Sequence, residues 1–186
     1  MSKNSIKYSI NYLFEIANPN RNLIYDITIN DDYREVVICF KEINKQIKFN
    51  LVEDNAWYDL IESNYKEIHW INNAKNTYKI PILFWADENF PFINLTSDEI
   101  IFNGDIISSS FFMLSRWEER WTTEKDEHGR FRFIDSIAYK YDFITIPIVD
   151  EYAMLLRKYL QMLFPNINLG KNEFHIKLSH DIDDIR

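Results

Sequence analysis

Val36-Val37-Ile38-Cys39-Phe40 and Gln46-Ile47-Lys48-Phe49-Asn50-Leu51-Val52 decide the fold class. The first is an unbroken run dominated by β-branched and aromatic residues. The second alternates Ile47, Phe49 and Leu51 against Lys48 and Asn50, the period of a half-buried strand. Upstream, Leu23-Ile24-Tyr25-Asp26-Ile27-Thr28-Ile29 sets Asp26 and Thr28 between apolar neighbours. Short polar connections, Asn30-Asp31-Asp32 and residues 42–45, join the three runs and predict an antiparallel meander.

Helical periods flank this meander. Ile6, Ile10, Leu13, Phe14 and Ala17 predict a helix over 6–17, ended by Asn18-Pro19-Asn20. A weaker pattern, Trp57, Leu60, Ile61, Tyr65 and Ile68, predicts one over 55–70. Residues 80–85 read as a short buried strand, which Pro81 pushes toward an edge or the strand's start. Residues 99–102 read as another strand. Asp105 is placed to cap a long helix over 105–121, with Phe111, Leu114, Trp117 and Trp121 near the helical period. Residues 139–146 read as a strand. The strongest helix spans 147–164, with Asp150 and Glu151 in its first turn, Arg157 and Lys158 further along, and Pro165 as its stop. A polar loop, 166–172, marks the expected domain boundary, and residues 173–179 read as the first strand of a further domain.

The whole is therefore expected to be α/β or α+β. It comprises a small mixed or antiparallel sheet with three to four helices over 1–170, and the start of a second domain over 171–186.

Composition narrows the function classes. The chain has 186 residues, 46% of them hydrophobic and 16% aromatic, enough for one domain with a ring-rich core. Its net charge of −8, with no basic stripe, argues against nucleic-acid binding. The three glycines form no phosphate-cradling motif. Cys39 is the single cysteine, so an intrachain disulfide and a cysteine-based zinc site are both excluded. It reads as an inert thiol in a reducing, cytoplasmic setting. No stretch approaches the ~20 apolar residues of a membrane span, and the amino-terminal residues do not read as a signal peptide.

Chemistry concentrates at Ser179-His180-Asp181-Ile182-Asp183-Asp184-Ile185-Arg186. Close carboxylates repel one another unless a proton or a cation lies between them. A divalent metal resolves that conflict and leaves one carboxylate free as a base. The alternative is an exposed acidic chain end.

The segment Ser179-His180-Asp181-Ile182-Asp183-Asp184 resembles the opening motif of a branch of the polysaccharide deacetylase family, the NodB-like carbohydrate esterases. Phe112-Met113-Leu114-Ser115-Arg116-Trp117-Glu118-Glu119, Asp126-Glu127-His128-Gly129-Arg130-Phe131, residues 136–140 and residues 146–152 resemble, in the same order, segments amino-terminal to that motif in longer bacterial members. The resemblance implies a deformed β/α barrel that removes acetyl groups from N-acetylated glycans with a divalent metal, usually zinc. On it, Asp181 is the general base, and Asp183 or Asp184 is the metal ligand. The family's later His-x-x-x-His pair has no counterpart among His69, His128, His175 and His180. A barrel also needs ~200 residues. The resemblance thus implies the amino-terminal accessory part of such an enzyme, catalytically incomplete as this chain. Its partners are the missing barrel and the glycan substrate, and zinc is held only in a complete protein. A non-catalytic binding or scaffolding module in surface-polysaccharide synthesis is the alternative, and a truncated remnant the third.

Within the upstream motifs, Arg116 is expected to pair with Glu119 while Glu118 faces another side. This is either a structural ion-pair network or a glycan or interdomain contact. Gly129 is expected to supply a positive-φ turn. Trp117 and Trp121 read as core, with sugar stacking as the alternative.

Overall fold

Ser2 starts the first helix, its Oγ accepting from the Ser5 N–H at 3.2 Å. The computed structural model describes residues 1–40, 44–62, 68–173 and 176–178. In chain order the elements are α1 (Lys3–Ala17), β1 (Asp26–Ile29), β2 (Glu35–Phe40), β3 (Lys45–Asn50), α2 (Asn55–Glu62), β4 (His69–Asn72) and β5 (Lys79–Ile82). There follow β6 (Ile93–Leu95), β7 (Glu99–Phe102), α3 (Ile106–Leu114), α4 (Ile137–Lys140) and α5 (Ile148–Leu163).

The expected meander forms. β1 and β3 each pair antiparallel with β2, with Ile27 opposite Ile38 and Ile38 opposite Ile47. Val36, Ile38 and Phe40 on β2, with Ile47 and Phe49 on β3, are buried. β7 then joins β3 in parallel, and β6 closes the edge, so the order is β1-β2-β3-β7-β6. The Phe49 and Phe102 rings stack across the parallel pair, with centroids 4.9 Å apart. β4 and β5 form a separate hairpin. The fold is α/β with a mixed sheet, as expected, and carries five helices among the described residues.

Helices α1, α3 and α5 pack on one another, and the core is continuous from them into the sheet. Rings make the junctions: Phe40 against Phe164 at 4.8 Å, Phe102 against Tyr159 at 5.8 Å and Phe14 against Tyr25 at 4.6 Å. Tyr152, fully buried on α5, donates its hydroxyl to the Pro81 carbonyl at 2.6 Å and so ties the hairpin to the helical layer. No helix among the described residues is long and apolar enough to cross a membrane.

Three expectations fail. The helix expected over 55–70 does not reach its end, because α2 is described over Asn55–Glu62 and His69 already belongs to β4. Residues 63–67 lie outside the described residues. Asn73 makes the difference, because its side chain accepts from the Thr77 N–H at 3.0 Å and closes a turn that pairs β4 with β5. The helix from Asp105 ends at Leu114. Arg116 takes φ 52°, and this left-handed residue turns the chain so that Trp117 meets Trp57 edge-on at 5.0 Å. The strand over 139–146 is absent. Ser136 caps α4 through the Tyr139 N–H, and Phe143 plugs into the core as a single buried ring rather than as part of a ladder. Alternating Tyr141 and Phe143 imitate a strand that has no neighbour to pair with.

The loop 166–172 is fastened to the body. Arg157 donates to the carbonyls of Ala17 at 2.8 Å and of Gly170, and the Asn172 amide donates to the Ile16 carbonyl at 3.0 Å. Gly170 has φ 85°, and a methyl group there would collide with Asn20, so this turn requires glycine. Of the expected strand over 173–179, residues 174, 175 and 179 lie outside the described residues. Glu173 and residues 176–178 carry no regular structure, and no closed barrel occurs among the described residues.

Asp105 is fully buried and burial pushes its carboxyl up to about 6, against the hydrogen bonds from Ser108, Val52 and Ile107 that favour the anion. The native chain therefore holds this proton at a pH where the unfolded chain has released it. Stability from this group is greatest below pH 4 and falls as pH rises through 6, by about 3 kcal/mol in all. Asp105→Asn, which resembles the protonated acid, is expected to lack that fall. Urea unfolding of both proteins at pH 4.5 and 7 checks it, and parallel pH dependences would refute it.

Candidate functional site

The acids that the sequence singles out, Asp181 as base and Asp183 or Asp184 as metal ligand, lie outside the described residues, as do His175 and His180. Among the described residues no three His, Cys, Asp or Glu side chains stand close enough to hold a metal ion. His69 faces Glu88 at 3.2 Å and packs on the Trp85 ring, and His128 lies 3.4 Å from Glu127 on the surface. Neither imidazole is part of a ligand set.

The described chemistry lies instead in three upstream motifs. At the end of α3 the left-handed Arg116 opens a single 3-10 turn, Trp117–Arg120. That turn brings Glu119 round to the Arg116 guanidinium and points Glu118 the other way, as the spacing predicts. Glu118 Oε2 accepts from the Ile137 N–H at 2.7 Å, at the first turn of α4. Burial pushes the Glu118 carboxyl above the usual carboxylate range. The Ile137 N–H and Lys140 work against that shift, and the neighbouring Glu119 adds to it. A half-buried acid thus fastens the Trp117 turn to α4.

The second motif is a closed turn. Asp126 Oδ1 accepts from the backbone N–H groups of His128 at 2.9 Å and Arg130 at 2.8 Å, and Oδ2 accepts from Arg130 Nε at 3.0 Å. Gly129 supplies the expected positive φ, 74°. The Arg130 and His128 N–H groups, with the Arg130 guanidinium, hold the Asp126 carboxyl below its ordinary range. Two residues on, Arg132 grips Asp135 through two hydrogen bonds of 2.5 and 3.0 Å.

Arg116, Asp126, Arg130 and Arg132 line one open groove of about 730 Å³, together with the side chains of Phe131, Phe133 and Ile134. Its cations are already paired, so it carries no surplus positive charge for an anion. Beside these pairs Phe133 is 63% exposed and Tyr139 50%, with their rings edge-to-face at 5.4 Å. The Arg116 turn and the Asp126 turn meet at this groove, and α4 adjoins it through Tyr139 and the Glu118–Ile137 bond.

A family profile, described as a family of unknown function, DUF7033, matches residues 2–165. The chain belongs to the DUF7033 family. No curated protein and no solved structure matches the chain. The DUF7033 match takes in every element from α1 to α5 and ends immediately before the loop 166–172.

Sequence reasoning finds Arg116, Glu119 and Gly129 in this DUF7033 surface but misses Phe133, Ile134 and Tyr139. Tyr139 falls in the strand expected over 139–146. The available signal was the Arg130-Phe131-Arg132-Phe133 alternation, which puts rings between cations without an apolar partner nearby.

Glu118→Ala leaves the Ile137 N–H without its acceptor and is expected to destabilise the domain by about 1–3 kcal/mol, whereas Glu118→Gln keeps a carbonyl oxygen there and loses less. Chemical denaturation of the two variants checks this order, and equal losses would contradict it.

Proposed function

We propose that this DUF7033 domain is the amino-terminal accessory domain of a polysaccharide deacetylase-like hydrolase, and that its 116–139 surface docks on the catalytic barrel. The observation that carries the reading is the convergence just described. The segments Phe112–Glu119, Asp126–Phe131 and Ser136–Lys140, which resemble in order the upstream region of such enzymes, bring Arg116, Asp126, Arg130, Phe131 and Tyr139 to neighbouring places on one face. That surface has the make-up of an interdomain contact, with internally neutralised charges around bared Phe133, Ile134 and Tyr139. The end of the family match beside the loop 166–172 fits a boundary there.

On this reading the tail that follows begins the barrel. Asp181 serves as general base in the complete protein and Asp183 or Asp184 as a metal ligand. Zinc is the metal, and it polarises the amide of an N-acetylated glycan. The proposed ligand and base all lie in that tail, so on this reading acetyl release requires the barrel as well as this domain. The single thiol, Cys39, suits a cytoplasmic setting.

The test uses a protein that carries this domain and a deacetylase barrel together. Phe133→Asp and Ile134→Asp are expected to lower acetyl release from a chitin oligomer about tenfold and to speed proteolytic cleavage between the domains. Unchanged activity and cleavage would overturn the docking surface. No acetyl release by the unsubstituted protein would overturn the hydrolase reading itself.

A further inference from the structure

The two edges of the five-stranded sheet differ. β6 is three residues long and starts two residues after Pro91. β1, at the other edge, has no proline, lysine or arginine in residues 22–29, and its register with β2 runs from Asp26 to Ile29 without a bulge. Those are the devices that keep a sheet edge from pairing with another chain. No strand among the described residues other than β2 pairs with β1. Ile24, just before it, is 73% exposed, and Asp26 and Thr28 are exposed as well.

The hydrogen-bond alternation fixes which backbone groups this edge offers. The Asn30 N–H donates to the Glu35 carbonyl at 3.1 Å, and this pair is the next in register after Ile29 opposite Val36. Bonded and unbonded pairs alternate along an antiparallel ladder, so Thr28 and Asp26 turn their backbone groups toward β2. Ile27 and Ile29 therefore turn theirs outward, and Tyr25 continues the alternation. The side chains of Tyr25, Ile27 and Ile29 pack, half-buried, against the core on the helix side of the sheet. Asp26 and Thr28 stand on the opposite face.

We propose that β1 pairs antiparallel with β1 of a second copy of this chain, about a two-fold axis at Ile27. Outward backbone groups must meet outward ones, which restricts the axis to a residue of β1. An axis at Asp26 sets two carboxylates face to face, a destabilising pair. An axis at Thr28 or Ile29 pairs an outward residue with Asp31, which lies in the turn where the Tyr33 N–H donates to the Asn30 carbonyl at 3.1 Å. An axis at Ile27 matches Ile27 with Ile27 and Tyr25 with Ile29, for about six backbone hydrogen bonds. It sets apolar side chains beside apolar ones on the helix side. On the other face Asp26 of each copy lies opposite Thr28 of the other, so no like charges are opposed. Such a contact uses up both edges and closes at the dimer. It involves none of residues 116–139, so it stands or falls apart from the docking reading.

Sedimentation equilibrium of the chain at low salt, from ~1 to ~300 μM, tests the proposal. A reversible equilibrium between the 22.5 kDa chain and its dimer is expected. Ile27→Pro removes an outward N–H that the β1–β2 ladder does not use, and is expected to weaken the dimer roughly tenfold or more. Thr28 reports the register. Thr28→Asp places like charges opposite Asp26 and is expected to weaken the dimer about fivefold, whereas Thr28→Lys places opposite charges there and is expected to strengthen it by a similar factor. Circular dichroism checks that each variant is folded, and if Ile27→Pro is not, the two Thr28 variants decide. A chain that stays monomeric up to ~300 μM overturns the proposal, as does assembly beyond the dimer. Weakening by both Thr28 variants overturns the axis at Ile27. A dimer unchanged in all three variants, or one abolished by Phe133→Asp, places the contact elsewhere and overturns the proposal too.

Discussion

One buried carboxylate holds the junction from which the rest of the molecule is built. Asp105 Oδ1 accepts from the Ser108 N–H at 2.8 Å and so starts α3, while Oδ2 accepts from the Val52 N–H at 2.9 Å and so fixes the chain leaving β3. Its own backbone N–H donates to the Phe84 carbonyl at 2.9 Å, and its carbonyl accepts the Ser109 hydroxyl at 2.6 Å. A single residue thus joins β3, the exit of the hairpin and the first turn of α3. Ionising an acid in this setting is costly, and these bonds offset only part of that cost. The two residues before it complete the knot. Asn103 is bonded to Asn50 at 2.9 Å and to the Pro91 carbonyl at 2.8 Å. Gly104 has no room for a side chain beside the Phe92 ring.

The position of the exposed motif surface follows from that junction. With α3 anchored at Asp105 and packed on α1, its far end delivers Ser115 and Arg116 at a set place. A left-handed arginine costs roughly 1–3 kcal/mol and persists because its neighbours fix it. Trp117 is held edge-on by Trp57, and Glu118 is held by the first turn of α4. The same turn has two consequences: it seats Trp117 against Trp57, and it brings Arg116 to the Asp126 groove.

Local patterns were legible wherever a periodic apolar face met a stop signal. The three meander strands, α1 and α5 follow from such patterns, because both the face and its end lie in neighbouring residues. The Arg116–Glu119 pair and the Gly129 turn were legible for the same reason. The parallel docking of β7 on β3 was not, since it joins residues 47 and 100 and no nearby residue encodes it. The short α3 was misread because Trp117 and Trp121 sit at the helical period although a tertiary contact dictates their place. Residues 139–146 were misread because one buried ring, Phe143, and its alternating neighbours imitate a strand.

The sequence by itself determined the three meander strands, α1 and α5, since these depend on residue order over a few turns. Only the tertiary structure decided where the sheet turns parallel, where α3 breaks, and that residues 116, 126 and 130–134 line one groove while Trp117 meets Trp57 edge-on. Those outcomes depend on packing between segments tens of residues apart, and burial and pairing at such distances override the local period.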